Sequence, residues 1–474
     1  MLPKGKILLS LSLIALSVLS CADSRTLFPR KDAVMHDLDS IRARGKIIAV
    51  TDNSSTNYFI YRGEPMGFQY ELLRHFSNHA GIDFEIVTEN NPDKAFSMLH
   101  TGEADLIAMG LTVNSSRRKK IRFTAPIGET RQVLVQRKPD GWREMTCDSV
   151  EQSLIRDQCD LGKRTIYVQQ GSSHVARLKA ISDIIGKSVR IIKVPLETEI
   201  LIQMVGSGEI DYTVCDENIA LVNSNYYPDI DVSTPVSYSQ DLAWAVRKTH
   251  SDQLLEELNS WITEFTKTST YAILYAKYYK NSRSDRIFNS EYFALSTGKI
   301  SQWDDIIKVY SDSIKWDWRL LASLICQESR FNPTVTSWAG AYGLMQIMPE
   351  TGQNFGIDIR SSPNENIKAG TMYIRWLHTI FDTKIDDPEE RTRFILAAYN
   401  AGPGHVLDAM RLAEKNGKDP GKWNGHVAEW LLRKSEPEYL NDEMVKYGYL
   451  RGREPIAFVN NVLDRYQHYR NIVP

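Results

Sequence analysis

The run Trp316-Asp317-Trp318-Arg319-Leu320-Leu321-Ala322-Ser323-Leu324-Ile325-Cys326-Gln327-Glu328-Ser329-Arg330-Phe331-Asn332-Pro333 decides the reading of the C-terminal half. Leu320, Leu321, Leu324 and Ile325 recur at three- and four-residue spacing, the apolar stripe of a core-facing helix. Asp317 is placed to cap its start. Glu328 falls one turn above Leu324, against the core rather than in open water. It also stands near the helix C-terminus, where the macrodipole disfavours negative charge. Both effects raise a carboxyl pKa, and a general acid working near neutral pH needs a raised one. An arbitrary Glu at a helix end is a surface residue far more often than a catalytic one. The neighbouring motif Gly343-Leu344-Met345-Gln346-Ile347-Met348-Pro349 argues against that reading here.

Working outward, the periodicity beyond residue 300 is helical throughout. Ser362-Pro363-Asn364-Glu365 is a capping box with Pro at the first helical position. It opens a helix to about Phe381, with Tyr373, Ile374, Trp376 and Leu377 available for the core. Asp387-Pro388-Glu389-Glu390 is a second capping box. Its helix carries Phe394, Ile395, Ala397 and Ala398 into Tyr399-Asn400-Ala401-Gly402-Pro403-Gly404. The Gly-Pro-Gly stops it and leaves Tyr399 and Asn400 at a helix end, where side chains can point into a cleft. A last helix begins near Pro455 and runs to about Tyr469. Glu350, Asp358 and Glu365 are close to Glu328 in sequence but read as helix-terminus residues.

Upstream the pattern is different. Lys46-Ile47-Ile48-Ala49-Val50, Phe84-Glu85-Ile86-Val87 and Asp105-Leu106-Ile107-Ala108-Met109 read as strands separated by helices, one of them starting at Gly67-Phe68. After Trp142 the outline repeats, with strands Arg164–Val168, Val189–Val194 and Ile210–Val214. A long helix from Ser251 to about Tyr279 closes the region. Strands alternating with helices imply parallel or mixed α/β sheets, here in two units.

The chain has 474 residues, enough for more than one core, with 42% hydrophobic and 24% charged residues. A formal net charge of −2 gives no bulk attraction to nucleic acid, and none is expected as a partner. At the N-terminus Lys4 and Lys6 precede an apolar run from Ile7 to Leu19, too short to span a bilayer, which reads as an export signal. Export implies an oxidising compartment. Cys147 and Cys159 lie close together in a polar stretch, suggesting a local disulfide, whereas Cys215 and Cys326 fall in apolar runs and read as buried thiols. No Cys or His spacing suggests a zinc site, and no cofactor or metal is expected.

Three resemblances add to this. Val18-Leu19-Ser20-Cys21 resembles the lipobox of bacterial lipoproteins, which implies lipid on Cys21. Leu19 is a less usual lipobox residue, so ordinary cleavage is the alternative. With Ala22 following, the resemblance implies the outer membrane, periplasmic face, by a lipid anchor or peripherally. Residues 44–280 resemble the amino-acid-type periplasmic solute-binding proteins, through Gly67-Phe68 with Glu71, Leu111-Thr112 to Arg117 and Phe123-Thr124-Ala125-Pro126, Gly171-Ser172-Ser173, and Asp216. The resemblance implies a two-lobed fold closing on an amino acid. It gives Arg117 and Thr112 to the α-carboxylate, Ser172 and Ser173 to supporting contacts, and Asp216 to the α-ammonium. A guanidinium matches a carboxylate bidentately, which makes the first assignment physically sensible. The pattern departs at Gln69, where that family usually has Asp. The ligand is open between an amino acid and a muropeptide with a free α-amino acid end.

Residues 303–470 resemble the catalytic domain of the soluble-type lytic murein transglycosylases, through Glu328-Ser329, Gly343-Leu344-Met345-Gln346 and Ala398-Tyr399-Asn400-Ala401-Gly402. The resemblance makes Glu328 the sole catalytic acid and puts Ser337, Gln346, Met348, Tyr399 and Asn400 along the glycan groove. A fourth family element reads Glu454-Pro455-Ile456-Ala457-Phe458-Val459, with Phe458 where a Tyr is usual. The implied reaction cuts the MurNAc-(β1,4)-GlcNAc bond of peptidoglycan glycan strands and leaves 1,6-anhydro ends. The rivals are a muramidase hydrolase and a chain that is chiefly an amino-acid or muropeptide sensor. The expected architecture is multi-domain: signal peptide 1–21, tether 22–43, a two-lobed α/β periplasmic-binding-protein fold over 44–285 (second lobe about 140–240), linker 286–300, and a mainly α lysozyme-like domain over 301–474.

Overall fold

The computed structural model describes residues 37–280, 287 and 290–473. The export signal, Cys21 and most of the tether lie outside the described residues. The N-terminal part holds two mixed sheets. In the first, the parallel strands Asp83–Thr88, Lys46–Thr51 and Leu106–Thr112 are extended by antiparallel Gln240–Val246 and then Arg122–Phe123. In the second, parallel Arg190–Val194, Thr165–Gln169 and Tyr212–Asp216 are extended by antiparallel Gln132–Arg137 and Ile230–Pro235. The chain therefore crosses between lobes twice, near 131 and again between Pro235 and Gln240.

The second lobe begins earlier than position 140. Gln132–Arg137 is a strand because Val133, Leu134 and Val135 are all buried in its middle. The helix expected over 251–279 is two helices, Asp252–Phe265 and Ser269–Tyr279. The break falls at Thr266-Lys267-Thr268. There the Thr266 hydroxyl donates back to Ile262 O at 2.8 Å, and the Thr268 hydroxyl caps the next helix by accepting from Tyr271 N at 3.2 Å. The last residues of the expected tether are folded as well. Leu38–Arg44 is a helix with Leu38 and Ile41 in the core, and Asp37 accepts from the backbone of Gln253 and Leu254. Cys147 and Cys159 are exposed free thiols, and Cys215 and Cys326 are buried ones.

The C-terminal part is helical among the described residues and has its own core. Trp318–Ser329 and the terminal helix Arg453–Ile472 form its central pair, with Pro363–Phe381, Pro388–Ala401 and Pro403–Lys415 around them. The described stretch 293–300 of the segment read as linker is packed. It carries the helix Ala294–Thr297, with Phe293 buried 5.4 Å ring to ring from Phe59 and Ile300 in the second core.

The two parts dock through the hairpin Phe59–Tyr61 / Glu64–Met66. Ile60 belongs to the core of the helical domain. At the hairpin tip, Gly63 O accepts from the Tyr469 hydroxyl at 2.8 Å. Gly63 has φ 78, and a Cβ there would come within 2.5 Å of the Phe331 ring and 3.2 Å of Cys326 Sγ. Only glycine lets the tip approach this closely. Tyr58 and His468 share a 2.7 Å hydrogen bond, and the Asn471 amide donates to Ile86 O at 2.7 Å.

Candidate functional site

Glu328 occupies the last turn of Trp318–Ser329. The helix forms as its stripe dictates. Leu320, Leu321, Leu324 and Ile325 are buried, and Asp317 Oδ1 caps it by accepting from Arg319 N at 2.9 Å. The side chain of Glu328 is half-buried, and burial alone pushes its carboxyl up to about 8. At neutral pH the group is therefore largely protonated and able to donate. The other acids close in sequence are exposed or paired. Glu350 is exposed, Asp358 accepts from Arg360 N at 3.0 Å, and Glu365 pairs with Lys368 at 3.2 Å.

The loops around Glu328 are strained. Arg330 (φ 51), Phe331 (φ 62) and Gln346 (φ 47) all sit in the left-handed region, which costs a non-glycine residue of order 1 kcal/mol or more. Strain of this kind persists only where surrounding bonds hold it. Gln346 supplies some of them, its amide donating to Gly343 O at 2.9 Å and Val335 O at 3.1 Å. It braces the loop.

Asn366 supplies others. Its Oδ1 accepts from Met345 N at 2.9 Å, and its Nδ2 donates to Tyr342 O at 2.9 Å and Ile359 O at 3.2 Å. The buried amide thus satisfies three backbone groups that a loop would otherwise leave unpaired. Sequence reading missed it. The available signal was an amide beside Ile367 on the inward face of a capped helix.

Tyr399 meets the same loop from the other side, donating its hydroxyl to Met345 O at 2.7 Å. Burial first, and then the charge of Glu328, raise its phenol well above the ordinary range. Asn400 is exposed one residue on, and Met348 is 42% exposed at the end of the loop. The Ser337 hydroxyl accepts from Ala341 N at 3.0 Å and so holds the turn that presents Trp338 to solvent. Phe458 is buried and brings no hydroxyl, and Glu454 is exposed.

Two residues expected in the core behave differently. Ile374 and Leu377 are fully buried, but Trp376 is 44% exposed. Its ring stacks on Tyr373 at 5.6 Å and 18°, and Tyr373 lies 5.4 Å from Tyr399. A row of aromatic faces therefore leads away from Tyr399, the kind of surface on which sugar rings stack.

In the N-terminal domain a cavity of about 130 Å³ between the lobes is lined by Thr112, Arg117, Ser172, Ser173 and Asp216, all five of the residues expected there. Arg117 donates to the backbone O of Thr112 at 3.1 Å, and burial lowers its pKa against the opposing pull of Asp216. Ser173 Oγ accepts from the Gln132 amide at 3.3 Å. Arg118, Lys119 and Lys120 are exposed. Gln69 lies outside this cavity and accepts from the buried Trp244 indole at 2.7 Å. Sequence reading missed Asp52, Glu197 and Glu199, which also line the cavity.

Comparison with known proteins agrees with this division of chemistry. Residues 305–421 match the transglycosylase SLT domain family, and residues 47–281 match the bacterial extracellular solute-binding proteins, family 3. An ancestral arginine-binding protein, solved bound to arginine, aligns over 50% of the chain and 99% of its own, with 24% identity and a TM-score of 0.42. Over about nine-tenths of its length the chain is similar to proteins named membrane-bound lytic murein transglycosylase F. It is 34% identical to that of Desulfosudis oleivorans over 91% of each chain. It is 32% identical to that of Pseudomonas fluorescens over 90% of this chain and 85% of the relative. The chain belongs to the membrane-bound lytic murein transglycosylase F family, an enzyme that acts on peptidoglycan through a helical transglycosylase domain carried behind a two-lobed solute-binding-protein fold.

Proposed function

We propose that Glu328 alone carries the proton of a non-hydrolytic cleavage that leaves 1,6-anhydro-MurNAc ends. The observation that carries this is a carboxyl raised to about 8 by burial, while of the acids close to it in sequence Glu350 is exposed, Asp358 accepts from Arg360 N and Glu365 pairs with Lys368. A hydrolytic glycosidase usually needs two carboxylates. One is enough if the sugar supplies the nucleophile. Glu328 gives its proton to the oxygen joining MurNAc to GlcNAc, and the C1–O bond breaks. The 2-acetamido group stabilises the developing cation. The carboxylate then takes the proton from the C6 hydroxyl as its oxygen bonds to C1. The enzyme ends as it began, and no water is consumed. Tyr399, braced on Met345 O, together with Gln346, Ser337, Met348 and Asn400, lines the groove and holds the sugar for ring closure. Mass spectrometry of muropeptides released from purified sacculi tests this, since hydrolysis adds one water to every product.

The protonated form starts the reaction, so activity is full below the raised pKa and is lost as pH rises through it. The rate is expected to fall along an alkaline limb centred near pH 8. A limb centred near pH 4 to 5 would show that Glu328 works ionised.

The N-terminal domain, in this reading, binds an amino acid or muropeptide and regulates the enzyme. Asp52, Asn53 and Asn57 line the cavity, and the same segment runs on into the hairpin whose tip touches Cys326 and Phe331, on either side of Glu328. A ligand preferring one lobe arrangement would shift the position of that hairpin. Turnover measured with and without muropeptides checks this. We also take residues 1–21 as an export signal and the outer membrane as the location. Among the described residues no helix is long and apolar enough to cross a membrane.

A further inference from the structure

We propose that the cavity between the two lobes takes an amino acid, or an amino-acid end, that bears a second cationic group, a diamino acid being the simplest. The inference rests on the amino-acid-binding reading of this domain and adds the charge class of the side chain. The cavity is lined by four carboxylates, Asp52, Glu197, Glu199 and Asp216, against a single guanidinium, Arg117. An α-carboxylate and an α-ammonium account for Arg117 and Asp216. Three carboxylates are left over.

Their partners are all neutral. Asp52 accepts from the Asn57 amide at 3.0 and 2.9 Å. Glu199 accepts from Ser55 N at 3.2 and 3.1 Å and from the Ser55 hydroxyl. Glu197 accepts from the Asn90 amide. Among the described residues, none of the three forms an ion pair. Burial raises all three carboxyls, and the charge of Asp52 adds to the rise at Glu197 and Glu199. Buried like charges without a counter-ion are costly, and a cation among them offsets that cost.

A second observation points to a bound ligand. His174 is only 6% exposed, yet its Nδ1 has no hydrogen-bond partner among the described residues; Asn53 Oδ1 and Ser172 Oγ are likewise buried and unpartnered. All three residues line the cavity. Buried polar atoms left open in this way are ordinarily completed by what binds there. Carboxylate, amide and hydroxyl oxygens together suit an ammonium, which has only protons to give.

The test is calorimetric titration of the whole protein with L-lysine, L-ornithine, L-norleucine and L-glutamate. L-Lysine and L-norleucine share chain length and differ by the terminal amine. L-Lysine or L-ornithine is expected to bind at least tenfold more tightly than L-norleucine, the worth of roughly one charged hydrogen-bond set. Asp52→Asn and Glu197→Gln should each reduce that ratio. Norleucine or glutamate binding as tightly as lysine overturns the inference and leaves the amino-acid reading standing. Binding of none of the four overturns both. The ligand series on the unaltered protein decides the matter even where a variant fails to fold.

Discussion

Glu328→Gln is expected to lower glycan release from purified sacculi by about a thousandfold or more while leaving the protein folded. General acid catalysis alone accounts for roughly 10²–10⁴-fold. Here one group serves as acid and then as base, so both steps fail together. Gln keeps the size and polarity of the side chain, and the fold does not depend on the charge. The charge in fact opposes the fold. Burial holds the carboxyl near 8, far above the ordinary range for Glu. Between that ordinary range and about pH 8 the folded state keeps a proton that the unfolded chain has lost. Stability therefore falls as pH rises across this window. Glu328→Gln removes that dependence. The variant should melt above the unaltered protein at about pH 8.5, and the gap should close toward about pH 4.5. Melting curves at the two pH values check this alongside the activity assay. A variant that melts lower at the alkaline pH, or that retains turnover, contradicts the role assigned to Glu328.

Lys434→Ala is expected to destabilise the helical domain by roughly 3 kcal/mol, the lower end for breaking a buried ion pair from one side. Lys434 and Asp408 are both fully buried and paired. Asp408 also takes the Arg411 guanidinium and accepts from Lys446 N and Tyr447 N, each at 2.9 Å. These remaining bonds keep the cost at the lower end. They also show what the pair is for. Asp408 fastens the strap around 444–447, and the strap lays Tyr447 over Gly404, where even a Cβ would come within 2.4 Å of its ring. Gly404 follows directly on Tyr399-Asn400-Ala401-Gly402-Pro403, so a loosened strap disturbs one end of the groove. A fall in melting temperature of about 6–12 °C is expected, together with reduced turnover. A fall under about 2 °C for Lys434→Ala would show that the pair is solvated in solution.

Much of the helical domain was legible because its signals are local. The stripe of Leu320 to Ile325 and the caps at Asp317, Ser362 and Asp387 lie within a few residues of what they organise. Even so, Glu390 does not close a second capping box. Its carboxylate accepts instead from Trp423 N at 2.6 Å, a partner no local pattern announces. Trp376 was read as core because periodicity places it near the inward face. Whether a ring at the edge of that face is covered depends on neighbours from elsewhere in the chain. Asn366 was passed over for the same reason, since its partners at 342, 345 and 359 become neighbours only on folding. The interdomain contact was the least legible element. Gly63 meets Cys326, Phe331 and Tyr469 across more than 260 residues, and nothing in its own stretch, Arg62-Gly63-Glu64, distinguishes it from an ordinary hairpin turn.

The most direct measurement is digestion of purified sacculi in water labelled with heavy oxygen, read by mass spectrometry of the released muropeptides. If Glu328 takes the C6 hydroxyl proton while the C6 oxygen closes on C1, the products carry 1,6-anhydro ends, weigh one water less than the reducing forms, and contain no label. Reducing ends carrying heavy oxygen at C1 would mean that water is the nucleophile, and would contradict the account.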